Sequence, residues 1–233
     1  MPDAPLIWEL RTYTFYAGQA EPYLRMWGDE ILPLYDEIGV RVVGCWLPDD
    51  NPLNYIWLRV YDSAEERAQK TVALRTHPNW PDISARIQQY ESKAETRDFS
   101  EAAYSPLGTA IRAPAGGGHE PFGVYQTRLV HLKPGTREAF LADYEKLFIP
   151  LAAETGLTVL AVWLPADDPD AVFSLWGFGD DQSLERAITT LRAEPARQAL
   201  ASLFAVEDHI ERRTLRPTSF SPLSRFLTGP AGR

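Results

Sequence analysis

The stretch Gly39-Val-Arg-Val-Val-Gly-Cys-Trp-Leu-Pro-Asp-Asp-Asn-Pro-Leu-Asn-Tyr-Ile-Trp-Leu-Arg-Val-Tyr61 decides the fold, because a second version of it runs from Gly156 to Phe178. Trp46-Leu47-Pro48 recurs as Trp163-Leu164-Pro165, which sets an offset of 117 residues between the two versions. At that offset, without a gap, 15 of the 53 positions from Glu9 to Tyr61 are identical to their partners. So many identities at one long period indicate two tandem copies of a domain.

The composition is that of an ordinary globular protein and argues against several functions. The 233 residues are 45% hydrophobic and 24% charged, which suits two domains of about 100 residues each. The net charge of −9 argues against a nucleic-acid partner, which would need clustered lysine and arginine. No apolar run approaches the ~20 residues of a membrane span, so we expect none.

Two features predict a cytoplasmic location. The N-terminal Met1-Pro-Asp-Ala-Pro5 has neither the basic nor the apolar segment of a targeting signal. The single cysteine, Cys45, cannot form an internal disulfide, which suits a reducing compartment.

Each half is predicted to fold as β-α-β-β-α-β, the ferredoxin-like arrangement of an α+β protein. Apolar residues alternate with polar ones over the predicted strands and recur with a helical period between them. Ser63 is the predicted N-cap of the second helical segment. In the first half the predicted elements are the strand Leu6–Tyr16, the helix Gln19–Ile38, the hairpin strands Val40–Leu47 and Asn54–Tyr61, a helical segment from Ser63, and the strand Ala94–Phe99. Pro33 and its counterpart Pro150 fall in the last turns of a helix, where each should cause a kink.

The third strand indicates how the two copies associate. Ile56, Leu58 and Val60 suit the side covered by helices, whereas Trp57 and Arg59 alternate with them and belong to the other side. Aromatic side chains on a face without helices would form an exposed apolar patch, so that face should pack on something. We therefore expect the two antiparallel sheets to face each other as an intrachain α+β barrel.

The domain boundaries follow from the repeat and from composition. We predict a first domain at 1–107, a linker at 108–121, a second domain at 122–223 and a mobile tail at 224–233. The linker contains Ala113-Pro-Ala-Gly-Gly-Gly118, a flexible composition with no strand or helix period.

Several motifs resemble the NIPSNAP family. They are Glu9-Leu-Arg-Thr-Tyr13 followed by Gly18, and the closing Leu215-Arg-Pro-Thr-Ser-Phe-Ser-Pro-Leu223, of which Ser105-Pro106-Leu107 is the copy in the first half. The resemblance covers nearly the whole chain outside linker and tail. It implies the dimeric α+β barrel superfamily, which includes cofactor-free monooxygenases, haem peroxidases and small stress-response proteins. NIPSNAP proteins themselves have no agreed biochemical activity.

Arg11 and its counterpart Arg128 are the sharpest candidates for a site, because each lies in the middle of a strand among apolar side chains. A guanidinium there needs a carboxylate or an acidic ligand to offset its desolvation. Glu9, two residues away on the same face, offers a structural explanation, a salt bridge. The functional alternative is an anchor for the carboxylate, phosphate or enolate of a small ligand.

Aromatic residues suggest a pocket between the sheets, although plain sheet-to-sheet packing explains them as well. The residues that we predict to bind a ligand are Arg11, Tyr13, Trp46, Trp57, Arg59, Arg128, Trp163 and Trp176. The histidines, His77, His119, His131 and His209, lack metal-ligand spacing, so we predict no metal and no cofactor.

Two functions remain open from the sequence. The first is a NIPSNAP-like protein without an assigned activity, which binds a small apolar or acidic ligand, a protein partner or a second copy of itself. The second is a cofactor-independent monooxygenase or isomerase acting on an aromatic substrate, with Arg11 stabilising an enolate and His77 as the base.

Overall fold

The computed structural model describes residues 5–112 and 122–227. In the first half the elements are β1 (Ile7–Phe15), α1 (Ala20–Met26), a π-helical turn (Trp27–Ile31), α2 (Leu32–Glu37), β2 (Arg41–Pro48), β3 (Asn54–Tyr61), α3 (Ala64–Thr76), α4 (Trp80–Tyr90), β4 (Glu91–Glu101) and α5 (Pro106–Arg112). In the second half they are β5 (Val124–Leu132), α6 (Arg137–Asp143), a π-helical turn (Tyr144–Phe148), α7 (Ile149–Glu154), β6 (Thr158–Pro165), β7 (Ala171–Phe178), α8 (Asp181–Arg192), α9 (Glu194–Ala199), α10 (Ala201–Val206), β8 (Glu207–Pro217) and a 3₁₀ turn (Pro222–Arg225).

Each half contains one antiparallel sheet of four strands. The strand order is β2-β3-β1-β4 in the first half and β6-β7-β5-β8 in the second. The first strand of each half therefore lies inside its sheet, and the last strand pairs with it. This order and the β-α-β-β-α-β succession confirm the predicted α+β class and the two tandem ferredoxin-like domains.

The helix after the first strand contains a π-helical turn at the same place in both halves. In each, the turn ends just before the helical segment whose second residue is proline, Pro33 or Pro150. Proline lacks the N–H that would continue the regular ladder of hydrogen bonds, so the preceding turn widens. The π-helical turns lie where the sequence predicts the kinks.

The compact units differ from the sequence repeats at their closing segments. One unit contains Met1–Ser100 with Pro217–Leu223, and the other contains Glu101–Arg216 with Ser224–Arg233. In the first unit the Ser221 hydroxyl accepts a hydrogen bond from the Cys45 amide at 3.1 Å. In the second unit the Ser105 hydroxyl accepts one from the Val162 amide, also at 3.1 Å. Each Ser-Pro-Leu motif thus completes the unit of the other repeat.

Regular structure extends into the predicted linker and into the predicted tail. The linker predicted at 108–121 was expected to lack helix, but its first residues, up to Arg112, belong to α5. Residues 113–121 lie outside the described part of the chain. In the predicted tail, residues 224 and 225 belong to the 3₁₀ turn, and 228–233 lie outside the described residues.

The prediction of which face of β3 meets the helices is wrong. The Trp57 ring packs against Trp27 of the π-helical turn, with centroids 4.9 Å apart, and against Tyr35 of α2 at 5.5 Å. The side with Tyr55, Trp57 and Arg59 is therefore the helix-covered side. Alternation separates two faces but cannot identify the covered one when both are buried, as they are along β3.

Among residues 5–112 and 122–227, no helix combines the length and apolarity that crossing a membrane requires.

Candidate functional site

A buried carboxylate, Glu9, lies among three arginines in the first half. The Glu9 side chain is only 5% exposed, and its Oε1 accepts a hydrogen bond from Arg11 Nη1 at 3.0 Å. The same oxygen pairs with Arg59 on β3, and Arg67 Nη1 of α3 lies 3.9 Å from Oε2. The arginines around this carboxylate offset the cost of burying it. The salt bridge between Arg11 and Glu9, which is the structural explanation that the sequence offers for Arg11, is therefore present.

Arg11 also contacts a tyrosine and a tryptophan. Its Nε donates to the Tyr13 hydroxyl at 2.9 Å, and its guanidinium carbon lies 5.7 Å from the centroid of the Trp57 ring. Burial lowers the pKa of Arg11, but Tyr13 and Glu9 together raise it above the ordinary value. Arg11 is thus a charged member of a cluster that already supplies it with a carboxylate and a phenol.

The second half keeps the arginine and replaces its surroundings. At the repeat offset of 117 residues, Glu9 corresponds to Gln126, Trp57 to Ser174 and Tyr35 to Ala152. The first replacement removes the negative charge next to Arg128. The other two remove large rings from the space between the sheet and the helices.

A cavity of about 160 Å³ occupies that space in the second half. Strands β5, β7 and β8 line it on one side and helical residues on the other. Its apolar wall is made by Val130, Phe140, Tyr144, Phe148, Trp176, Ile188, Leu191, Leu200, Leu203 and Phe204. Its polar lining comes from Gln126, Arg128, Ser174, Arg192, Glu207 and Arg212.

Arg128 is the unusual group in this cavity. Its guanidinium carbon lies 4.2 Å from the centroid of the Trp176 ring, a close cation–π contact. Its Nε is buried and has no hydrogen-bond partner, and within the described residues no carboxylate forms an ion pair with it. Burial lowers the pKa of Arg128 to about 10, so the group stays charged at neutral pH. The side-chain oxygen of neighbouring Gln126 is also buried without a partner.

The aromatic wall of the cavity is held in place by polar and stacking contacts. Trp176 Nε1 donates to the Tyr144 hydroxyl at 2.9 Å, and the Trp176 ring stacks on Phe148 with centroids 5.1 Å apart. Burial raises the pKa of Tyr144 to about 12, so the phenol is neutral near pH 7. The π-helical turn supplies both Tyr144 and Phe148, as such turns often do at sites.

A half-buried carboxylate, Glu207, also lines the cavity. Glu207 is the first residue of β8, where the register of β5 and β8 shifts opposite Leu132. Burial raises the pKa of Glu207, although Arg128 and Arg212 oppose the shift. Its counterpart in the first half is Glu91, the first residue of β4, whose pKa burial raises to about 7.

The predicted ligand-binding residues divide into groups in the structure. Arg11, Tyr13, Trp57 and Arg59 form the closed cluster of the first half, and Arg128 and Trp176 line the cavity of the second. All six lie on the helix-covered side of a sheet, not on the helix-free side where we expected a pocket. Trp57 and Trp176 lie on the side opposite to the one expected, because both faces of β3 and of β7 are buried and alternation alone does not distinguish them.

Trp46 and Trp163 lie apart from the cavity lining. The Trp46 ring lies over Gly44, on the side of β2 opposite Cys45, which belongs to the helix-covered core. Trp163 is buried and packs against Phe173, with ring centroids 6.0 Å apart.

The structure places His77 in a surface turn. Its Nδ1 accepts a hydrogen bond from the Asn79 amide at 3.2 Å, and its Nε2 lies 3.4 Å from a Glu37 carboxylate oxygen. Neither partner belongs to the cluster around Glu9. His77 and Arg11 therefore have separate partners.

The cavity residues that sequence reasoning missed include Gln126, Tyr144, Ser174 and Glu207. A signal for two of them was present, because the repeat offset aligns Gln126 with Glu9 and Ser174 with Trp57. The second repeat keeps the arginine but lacks both its counter-ion and the neighbouring tryptophan. This combination predicts an open site.

The chain belongs to the NIPSNAP family, whose sequence model matches residues 8–106 and again 125–222. The second match shows that both repeats carry the family pattern. A comparison with curated proteins found no match.

Solved structures are similar to the chain over most of its length. One, from Lactobacillus acidophilus and provisionally described as a monooxygenase, is 12% identical with a TM-score of 0.65, over 91% of this chain and 94% of that one. Another, described as an anthrone oxidase-like protein, is 12% identical with a TM-score of 0.61, over 93% and 92%. At these identities the likeness shows the fold alone. A NIPSNAP domain protein from Burkholderia xenovorans is 30% identical with a TM-score of 0.41, over 43% of this chain and 98% of that one.

Proposed function

We propose that the second half binds a small apolar molecule bearing a carboxylate or enolate oxygen, with Arg128 as its anchor. The observation that supports the proposal is a charged guanidinium that has no carboxylate in ion-pair contact among the described residues and lies against the apolar wall of a cavity. A cation in such surroundings is costly unless an anion offsets its desolvation. A ligand carboxylate would take the role that Glu9 has beside Arg11.

The size of the cavity limits the ligand. Its volume of about 160 Å³ is close to the ~150 Å³ of an engineered protein cavity that holds benzene. A single aromatic ring or a short branched chain fits this space, and larger ring systems exceed it. Phenylacetate, with one ring and one carboxylate, is therefore a suitable probe.

Isothermal titration of phenylacetate tests the proposal. We expect one molecule per chain, and binding weakened about tenfold to a hundredfold by Arg128→Met, since a hydrogen bond to a charged group contributes ~1.5–3 kcal/mol. Arg11→Met is the matched control and should bind phenylacetate like the wild type. The uncharged analogue phenylacetamide should bind weakly to every variant. Equal binding by wild type and Arg128→Met would refute the anchor.

A second function, cofactor-independent isomerase or monooxygenase chemistry, is favoured by one observation, the carboxylate of Glu207 in the same cavity. A carboxylate with a raised pKa is a better general base near neutral pH. Glu207 would remove a proton next to a carbonyl group, and Arg128 would stabilise the enolate oxygen. In an isomerase the proton is returned to a different atom. In a monooxygenase the carbanion reduces O₂, one oxygen atom is retained in the product and the other leaves as water.

Phenylpyruvate, a single-ring acid with an enolisable position, separates the two functions. Catalysed keto–enol exchange, followed by ultraviolet absorbance and reduced by Glu207→Gln, would support the isomerase. Oxygen uptake with the same dependence would support the monooxygenase. Binding of phenylacetate without either reaction would leave ligand binding as the function. The two similar structures share only the fold, so their descriptions do not decide between these outcomes.

Location and assembly are also proposals. We propose a cytoplasmic location because the one cysteine, Cys45, cannot form an internal disulfide, which suits a reducing compartment. A protein partner or a second copy could meet the cavity at Phe204, which lines it and is 42% exposed. Light scattering at increasing protein concentration would detect a second copy.

A further inference from the structure

Two histidines and a glutamate converge on the helix-free side of the second sheet. His131 on β5 and His209 on β8 are direct partners across the antiparallel pair, and their rings stack with centroids 4.1 Å apart and planes 7° from parallel. Glu211, two residues further along β8, projects on the same side. Its Oε1 lies 3.2 Å from His131 Nε2 and 3.8 Å from His209 Nε2.

We propose that His131, His209 and Glu211 bind a divalent transition-metal ion, with water completing its coordination. One ligand atom from each residue lies within 4.8 Å of the others. Two imidazole nitrogens and a carboxylate oxygen are a donor set that Zn²⁺ accepts, with bonds of about 2.0–2.2 Å. Tetrahedral ligands are then about 3.3–3.5 Å apart. The His131–Glu211 separation of 3.2 Å is already close to this distance.

His209 would have to move to complete the site. Parallel rings direct their nitrogen lone pairs side by side, so one ring must tilt before both can bind the same ion. The side chain of His209 is 57% exposed and that of Glu211 is 63% exposed. Exposed side chains change rotamer readily, and the required shift of about 1 Å lies within rotation about their χ angles.

Asp168 prepares His131 for metal binding. Its Oδ2 lies 3.1 Å from His131 Nδ1, on the far side of the ring from Glu211. A carboxylate in this position keeps the proton on Nδ1 and leaves the Nε2 lone pair available, the arrangement found behind many metal-binding histidines. The Asp168 side chain is itself oriented, because its Oδ1 accepts a hydrogen bond from the Asp170 amide at 3.0 Å.

The site is independent of the Arg128 cavity. His131 and Arg128 are three residues apart on β5 and therefore project to opposite sides of the sheet. Metal binding at the first and phenylacetate binding at the second should consequently not affect each other.

Calorimetric titration of ZnCl₂ into the chelator-treated, untagged full chain tests the inference. We expect one Zn²⁺ per chain, and affinity lowered at least about tenfold by His131→Ala, His209→Ala or Glu211→Gln. Asp168→Asn should lower it about tenfold to a hundredfold without removing a ligand. His77→Ala, a histidine outside the cluster, and Arg128→Met should bind Zn²⁺ like the wild type.

Circular dichroism melting of each apo variant shows whether a loss of affinity reflects unfolding. Absence of Zn²⁺ binding by the folded wild type would overturn the inference. So would wild-type affinity in the folded double variant His131→Ala/His209→Ala, since the ion would then be bound elsewhere.

Discussion

The two halves of the chain share a backbone and an arginine but differ in what surrounds that arginine. In the first half, Glu9 neutralises Arg11, and Trp57 fills the adjoining space. In the second half, Gln126 and Ser174 occupy those positions, and Arg128 faces a cavity of about 160 Å³. Together with Ala152 in place of Tyr35, one replacement of charge and two of volume distinguish the closed structural cluster from the open site.

This difference indicates which parts of the site are structural. A buried ion pair explains Arg11 without any ligand. No such partner explains Arg128 among the described residues, and its desolvation must be offset by Trp176, by water or by a ligand. The first half is therefore an internal reference against which the second can be measured.

The largest effect is expected from converting the first half into the second by Glu9→Gln. Arg11 and Arg59 would keep their charges and lose the carboxylate between them. Removing one partner of a buried ion pair costs about 3–5 kcal/mol of unfolding free energy. Urea denaturation measures this loss. The matched variant Gln126→Ala should cost less than about 1.5 kcal/mol, because no ion pair is broken. Equal losses would show that the halves do not differ as described.

Removal of Arg11 and removal of Arg128 should change the free energy of unfolding in opposite directions. Arg11→Met takes a charged hydrogen-bond donor from Glu9 and should destabilise the protein by about 2 kcal/mol. Arg128→Met replaces an unpaired guanidinium with an apolar side chain and should stabilise the ligand-free protein by about 1 kcal/mol. Denaturation of both variants in the same buffer checks the signs. A loss of stability in both would mean that Arg128 is also structural.

The smallest effect concerns the carboxylate that starts the last strand of the first half. The pKa of Glu91 is raised to about 7 from an ordinary 4.5, so folding favours its protonated form. The stability that this preference adds is complete below pH 4.5 and is lost as the pH rises through 7. Glu91→Gln should therefore equal the wild type at pH 4 and exceed it by about 1 kcal/mol at pH 8, allowing for solvent screening.

Thermal unfolding of wild type and Glu91→Gln across this pH range is the corresponding measurement. Glu207→Gln in the second half should show a difference of the same sign, since burial raises that pKa too. A constant difference between pH 4 and pH 8 would rule out titration as its cause.

Much of the fold was predictable from local patterns. The repeat, the strand periods and the turn residues predict both ferredoxin-like halves, and Ser63 caps α3 by accepting the Glu66 amide at 3.1 Å. The covered face of β3 was not predictable, because both of its faces are buried. The exchange of the Ser-Pro-Leu segments depends on contacts between distant parts of the chain, which local sequence does not encode.

The site was predictable only in part. Arg128 attracts attention because a charge in an apolar strand needs an explanation, and the repeat offset shows that its counter-ion is lost. The cavity itself also depends on Ala152 replacing Tyr35 in a helix far along the chain. Local ligand spacing does not indicate the proposed metal site, because His131 and His209 meet only across two paired strands.

The central claim is that the missing carboxylate opens Arg128 to a ligand, and titration of phenylacetate into Gln126→Glu tests it most directly. This nearly isosteric change gives Arg128 the partner that Arg11 has in Glu9. Binding should weaken at least about tenfold relative to the wild type, because the new carboxylate competes for the same guanidinium. Gln126→Met, which adds no charge, should remain within about threefold of the wild type. Wild-type affinity for phenylacetate in folded Gln126→Glu would contradict the account.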